Sequence, residues 1–319
     1  MENSMIGVAG LGLLGRGIAA SLLAHGMPIS VYTPVAEEFV TARASIARAI
    51  DELIDRAGFD PALRDTWRSR YTELDTPLDF APCDFVIESI VEDAEAKTAL
   101  FAVLEEVIAA DTPIASNTSA LPISLLQQRC NHPERVLGMH WAEPAHATRF
   151  LELIRGAATS DDTMHKATEL ARHLGKDPCL VSQDIPGFIA NRLGYAMYRE
   201  ACHLLASGVA DAATIDRSFR NSVGLWASVC GPFQWIDLTG GPSLYAKAMS
   251  GVLPHLCNAP ELPEPLQRAM EHNHTGIRSG QGFYRYTPGQ AHAAEDRYRE
   301  QAWRVFAIGA DCDPPPDAK

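Results

Sequence analysis

Apolar and polar positions follow two regimes along the chain. Up to Val181, apolar runs of strand length alternate with longer stretches whose apolar residues recur at helical spacing. The strand-like runs are Met5 to Ala9, Ile29 to Tyr32, Asp84 to Ile90, Pro113 to Ser116, Val136 to His140, Phe150 to Ile154 and Lys176 to Val181. Helical patterns lie between them at Ile18 to His25, Ala36 to Ala57 and Ala94 to Ala109. This alternation predicts strand-helix-strand units in one α/β sheet. Pro61 to Tyr71 should fold back on the preceding helix, the pair forming an excursion from the sheet on the substrate side. Its interleaved acids and arginines read as a solvated face.

Beyond Asp184-Ile185-Pro186-Gly187 the pattern is helical almost throughout. Phe188 to Ser207 is stopped by Gly208, Ala210 to Val223 follows, and Gly231-Pro232-Phe233 opens a third helix. Gly276 to Gly282 reads as a loop, and Pro288 to Phe306 as a terminal helix. Two domains are therefore expected, over residues 1–185 and 186–319, the second all-α.

The first strand runs into Gly10-Leu11-Gly12-Leu13-Leu14-Gly15, and a helix follows. In a Rossmann-type dinucleotide-binding domain the first glycine makes the tight turn and the second admits the pyrophosphate. The third packs helix on strand, with the phosphates at the helix N-terminus. A glycine-rich turn without a ligand is the plainer alternative. Gly10, Gly12, Leu13, Leu14 and Gly15 are the expected cofactor positions. The second strand ends in Thr33-Pro34, where an NAD site ordinarily carries an acid for the ribose 2′-hydroxyl. No arginine follows at once to hold a 2′-phosphate, the nearest being Arg43, so NAD is favoured over NADP.

Charge and composition narrow the class. A formal net charge of -13 argues against nucleic acid or an anionic membrane as partner. With 46% apolar and 21% charged residues the chain reads as globular, and no run approaches a membrane span. The seven cysteines are scattered, without a C-x-x-C pair, so neither a disulfide nor a metal framework is expected. The N-terminus lacks a signal-peptide pattern, and the expected compartment is the cytoplasm.

The chemistry concentrates between Val136 and Ile154. One apolar run delivers His140 into a turn containing Pro144, and the next carries Glu152 between Leu151 and Leu153. A carboxylate in such company needs a partner, since burying an unpaired charge costs several kcal/mol. An imidazole held by that acid would make a general base, whereas a strand cap and a solvent-facing acid are the bland alternative. Ser116-Asn117-Thr118-Ser119 closes another strand, where small polar groups face the ligand crevice or form a plain turn. Glu92 and Lys97, at the start of a helix, either meet the cofactor ribose or cap that helix. Asn191, inside a later helix, reaches toward the crevice or faces solvent.

Eight motifs in one order resemble the 3-hydroxyacyl-CoA dehydrogenase family over nearly the whole chain. They are the glycine turn, V-I-E-S-I-V-E-D from Val86, S-N-T-S from Ser116, G-M-H-W from Gly138, L-E-L-I from Leu151, P-G-F-I-A-N-R from Pro186, G-P-F from Gly231 and S-G-Q-G-F-Y from Ser279. The resemblance implies His140 as the base, Glu152 as its orienting acid, and Ser119 and Asn191 on the substrate. It places Glu92, Lys97 and Arg278 at the nicotinamide cofactor, with Asn117 beside them, and it implies a homodimer. Glu143 stands where the family carries an asparagine that meets the carboxamide, and it can accept from an amide but cannot donate. A metal held by His140, Glu143 and His146 is disfavoured, because Pro144 breaks the helix that would aim them together.

The implied reaction is NAD-dependent interconversion of a 3-hydroxyacyl-CoA and its 3-oxo form. Relatives that act on small free acids, such as gulonate, carnitine or pyridine-carboxylate dehydrogenases, supply the alternative. The chain has five lysines and none before Lys97, and coenzyme A enzymes of the family usually place lysines in the early helical excursion. For a free carboxylate, Arg149 or Arg192 is the expected anchor. A second alternative is a non-catalytic, cofactor-binding structural protein, like the lens crystallin related to this family.

Overall fold

Isoleucine, valine and alanine dominate the short runs, and β-branched residues favour a pleated, buried surface. In the computed structural model, which describes residues 4–311, these runs become eight strands. They are β1 (Ile6–Ala9), β2 (Ile29–Tyr32), β3 (Tyr71–Glu73), β4 (Phe85–Glu88), β5 (Ile114–Ser116), β6 (Val136–Trp141), β7 (Phe150–Ile154) and β8 (Asp177–Val181). They form one sheet in the order β3-β2-β1-β4-β5-β6-β7-β8. Neighbours run parallel except β6 and β7, which are antiparallel with His140 opposite Glu152. Strands β1, β4 and β6 are buried along their whole length.

Helix α1 (Leu13–Ala24) links β1 to β2, and α2 (Ala36–Ala57) packs against it. A short helix, α3 (Leu63–Thr66), and a 3-10 turn then lead into β3. The segment expected as an excursion forms the crossover that adds β3 to the sheet edge beside β2. Helices α4 (Ala94–Val107) and α5 (Ile123–Gln127) connect strands laid down in the opposite lateral direction, so right-handed crossovers put them on the other face. There Phe80, Phe101, Leu104, Leu126 and Phe188 share one buried cluster. Helix α6 (Asp161–His173) joins β7 to β8, and the Ser160 hydroxyl caps it by accepting from the Thr163 amide. This Rossmann-type sheet is followed by a helical C-terminal region.

The chain divides into two compact units, Met1–Arg192 and Leu193–Lys319. Their boundary falls inside α7 (Ala190–Ala206), later than the expected end at residue 185. The start of α7 belongs to the first unit because its first amides and Asn191 are bonded there. The second unit holds α8 (Ala212–Asn221), α9 (Val223–Trp226), α10 (Pro232–Leu238), α11 (Gly241–Val252), α12 (Glu264–Glu271) and α13 (Pro288–Asp311). Among its described residues only Cys202 and Trp303 are buried hydrophobics, while Leu225, Phe233, Leu238 and Met270 are 71%, 82%, 73% and 72% exposed.

Lys176 pins the connection between β6 and β7. Its ammonium donates to the carbonyls of Ala145 and Thr148 and lies 5.0 Å from the centroid of Trp141. Burial pulls its pKa from the ordinary 10.5 down to about 7. The unfolded chain therefore holds this proton across a window in which the folded chain has released it. Stability should rise with pH from about 7 to about 10.5 through this group. Thermal melts of wild type and Lys176→Met should diverge in favour of wild type as pH climbs through that window. Parallel melting curves would mean that Lys176 titrates normally.

Candidate active site

At the end of β1 the backbone of Gly10 takes φ +102°. A Cβ there would lie 2.4 Å from the Ser89 carbonyl oxygen, and one on Gly15 would lie 2.0 Å from that of Gly10. A Cβ on Gly12 would meet nothing within 4 Å. Two glycines thus serve backbone packing, and the middle one keeps a surface open. Gly12 is also the N-cap of α1, whose first turn has no side-chain cap and no acid. Free amide donors at a helix N-terminus with open space before them suit a pyrophosphate, so the turn fits the dinucleotide expected from the sequence. Leu13 is exposed beside this opening.

The register of β6 and β7 sets His140 against Glu152, and Nδ1 of the imidazole lies 2.8 Å from Glu152 Oε2. The other carboxylate oxygen accepts from the amides of Ile189 at 3.1 Å and Ala190 at 2.9 Å, where α7 begins. Burial pushes the Glu152 pKa up, but the His140 bond and the two amides outweigh it and hold the group below the ordinary carboxylate value. The carboxylate thus stays ionised near neutral pH. It selects the tautomer with the proton on Nδ1, leaving the Nε2 lone pair without a partner among the described residues. The rings of Phe150 and Phe188 pack against the imidazole at 5.6 and 5.9 Å between centroids. Phe188 adopts φ +50°, a left-handed backbone that a bulky residue rarely takes.

Asn191, three residues after Phe188, donates from Nδ2 to the Ser119 carbonyl at 2.7 Å. Ser119 donates its amide to Glu92 Oε1 at 2.9 Å, and the Thr118 hydroxyl reaches the same oxygen at 2.6 Å. Burial raises the Glu92 pKa, yet the Thr118 hydroxyl, the Lys97 ammonium and the Ser119 and Ala120 amides together lower it. Beneath this layer Glu88, at the end of β4, is fully buried. It accepts from Lys97 Nζ at 2.7 Å, the Ile90 amide at 2.8 Å and the Ser116 hydroxyl at 2.6 Å.

Comparison with known proteins accords with this arrangement. The family model described as 3-hydroxyacyl-CoA dehydrogenase, NAD binding domain, matches residues 5–185, and that of the C-terminal domain matches residues 187–286. The chain belongs to the 3-hydroxyacyl-CoA dehydrogenase family. It is accordingly an NAD-dependent dehydrogenase. A 5-formyl-3-hydroxy-2-methylpyridine 4-carboxylate 5-dehydrogenase from Mesorhizobium japonicum is 32% identical, covering 95% of this chain and 96% of that protein. A probable 3-hydroxybutyryl-CoA dehydrogenase from Deinococcus radiodurans is 33% identical over 88% of this chain and 99% of its own length. The crystal structure of a 5-formyl-3-hydroxy-2-methylpyridine 4-carboxylic acid 5-dehydrogenase, described as an NAD+-dependent dismutase, superposes with a TM-score of 0.90. Identity there is 30%, with 98% of this chain and all of that one covered.

Of the residues expected to serve the 3-hydroxyacyl-CoA dehydrogenase reaction, His140, Glu152, Ser119 and Asn191 lie in one bonded group. Three residues expected at the cofactor have partners within the protein. Lys97 is turned inward, because the buried Glu88 carboxylate requires a cation and the side chain one turn beyond the Asp93 cap faces it. Asn117 is buried as well, accepting from the Trp141 amide at 2.9 Å and donating to the Ser89 hydroxyl at 3.0 Å, so it ties three strand ends together. Thr33 is buried too, and its hydroxyl donates to Glu38 at 2.5 Å. Glu143 is exposed in the turn after β6, beside a cis bond to Pro144. Arg149 immediately precedes β7, and Arg192 is exposed one residue past Asn191. Arg278 belongs to the second unit, in the 3-10 turn Ile277–Ser279. His146 pairs with Glu52 at 3.0 Å, and no metal-binding cluster occurs among the described residues. Glu88 and Glu38 escaped the sequence reading, although Glu88 carries the same signal as Glu152, an acid inside an apolar run.

The two glycines should separate folding from binding. Gly10→Ala should destabilise the chain by roughly 2–3 kcal/mol in urea unfolding, through the clash and the positive φ. Gly12→Ala should unfold like wild type yet lose more than about tenfold in NADH affinity, measured by titration, as the new methyl fills the open space. Equal effects of the two substitutions would remove the distinction.

Proposed function

We propose that the chain oxidises a secondary hydroxyl to a carbonyl with His140 as general base. The observation that carries this reading is the Glu152 carboxylate, divided between the His140 imidazole and the α7 amides, which leaves Nε2 as the basic nitrogen. His140 Nε2 takes the hydroxyl proton, and Glu152 stabilises the imidazolium that results. Ser119 and Asn191 hold the substrate oxygen as it becomes a carbonyl. When bound at the glycine turn, NAD supplies the acceptor for the hydride that leaves the same carbon. Glu92 lines the cofactor side with an ionised carboxylate fastened to the 118–120 turn. A cofactor-binding protein without catalysis would have no need of a buried, oriented base.

The substrate class that the family describes is a 3-hydroxyacyl-CoA, turned over to its 3-oxo form. A small free hydroxy acid is a second reading, favoured by a specific observation. The α2–β3 segment has no lysine, and two of its six arginines are paired with acids: Arg43 with Glu73 and Arg64 with Asp51 and Asp55. The absent lysines and these two neutralised guanidiniums reduce the cationic charge there for coenzyme A phosphates. Similarity over nearly the full length to a dehydrogenase of a pyridine carboxylate supports the same reading, with Arg149 or Arg192 as anchor.

Assembly as a homodimer through the second unit would cover exposed apolar side chains such as Leu225, Phe233, Leu238 and Met270. Scattered cysteines support a reducing, cytoplasmic setting. No described helix is long and apolar enough to cross a membrane.

Glu152→Gln should keep NADH binding and lower kcat by roughly 10²- to 10⁴-fold, as a base without its orienting acid does; unchanged turnover would make Glu152 structural only. Acetoacetyl-CoA and a panel of free hydroxy acids and their oxo forms, followed by nicotinamide absorbance, separate the two substrate readings. Sedimentation should give twice the chain mass, and a monomer at micromolar concentration would exclude the dimer.

A further inference from the structure

Residue 33, at the end of β2, sits where an NAD site ordinarily presents a carboxylate to the adenosine ribose, and here it is a threonine. The side chain is buried and its hydroxyl is committed, donating to Glu38 Oε2 at 2.5 Å and accepting from the Val35 amide at 3.4 Å. Glu38 lies on the first turn of α2 and is only partly exposed. Its second oxygen, Oε1, has no hydrogen-bond partner among the described residues. The Gly10 amide donates to the Tyr32 carbonyl at 2.8 Å, which fastens the end of β2 to the phosphate turn. The open face of Gly12 lies on that same turn.

We propose that Glu38 reads the adenosine ribose of NAD, and that Thr33 is the positioning residue that holds it there. The inference rests on the NAD-dehydrogenase reading and names the residue that sets its cofactor preference. A threonine at this place is too short to accept from two vicinal hydroxyls, whereas a carboxylate with one free oxygen accepts from the 2′- and 3′-hydroxyls. The Thr33 bond orients the acid by occupying Oε2 and turning Oε1 outward. The same charge repels a 2′-phosphate. Arg43 does not offset it, because its guanidinium is paired with Glu73 at 2.5 Å. Sequence inspection of the strand end alone misses the acid, because it arrives from the next helix, five residues later.

The test is direct binding of NADH and NADPH by fluorescence titration of the full chain, without substrate. Wild type should bind NADH more tightly than NADPH. Glu38→Gln should weaken NADH by tenfold to a hundredfold, the loss of a charge-assisted bond, and leave NADPH unchanged or tighter. Thr33→Val keeps the shape and removes the donor, and should narrow the same ratio by a smaller factor while the acid remains. It keeps the proposal testable should Glu38→Gln fail to fold. An NADH to NADPH ratio unchanged from wild type in the folded variants, or equal weakening of both cofactors, overturns the assignment. A wild type that binds neither overturns the NAD reading itself, and this assignment with it.

Discussion

Everything at this site depends on how one carboxylate divides its two oxygens. Glu152 gives one to an imidazole across an antiparallel strand pair and the other to the first amides of a helix. Each bond lowers the cost of burying the charge, and together they outweigh the desolvation of an acid in an apolar strand. The helix terminus supplies a fixed positive end and the imidazole supplies a group that can become positive. The arrangement therefore joins three elements, β6, β7 and α7, and Asn191 takes its place because α7 starts where the acid requires it to start.

The strand ends of the sheet repeat this economy in another form. Glu88 is sealed beneath the crevice and neutralised by Lys97, and Asn117 bonds across the ends of β4 and β6 from its place just past β5. These groups make a rigid floor whose polar atoms are satisfied from below. The layer above, Glu92 with Thr118 and Ser119, is left to meet ligands. Buried polar networks specify one geometry only when every member is paired, and the Glu88 cluster meets that condition.

Much of this was legible in the sequence, for reasons that particular residues show. Ala36 to Ala57 is helical over the expected span because its apolar positions keep one period from end to end. The glycine turn was legible because its geometry permits few residues, and His140 with Glu152 because an acid among leucines demands an explanation. Strand β3 was not legible: Tyr71-Thr72-Glu73 lies at the sheet edge, polar and short, without alternation to mark it. The pairing of Lys97 with Glu88 was not legible, because helix spacing gives distance along the chain and not which side faces the sheet. Thr33 looked like a missing acid because a side chain supplied by the next element leaves no trace in the strand itself. Helices α11 and α12 were also not separated in the sequence, since their apolar residues remain exposed and mark no inward face within this chain.

Phe188 is held by two demands that pull in opposite directions. Its backbone, at φ +50°, would be most at ease with glycine or asparagine, while the space beside the His140 ring asks for a large flat side chain. Exchange for glycine would relax the chain and open a cavity against the imidazole. Exchange for a branched aliphatic residue would fill part of the space and worsen the backbone. Neutral drift at this position is blocked on both sides, so a suboptimal local conformation becomes a durable one.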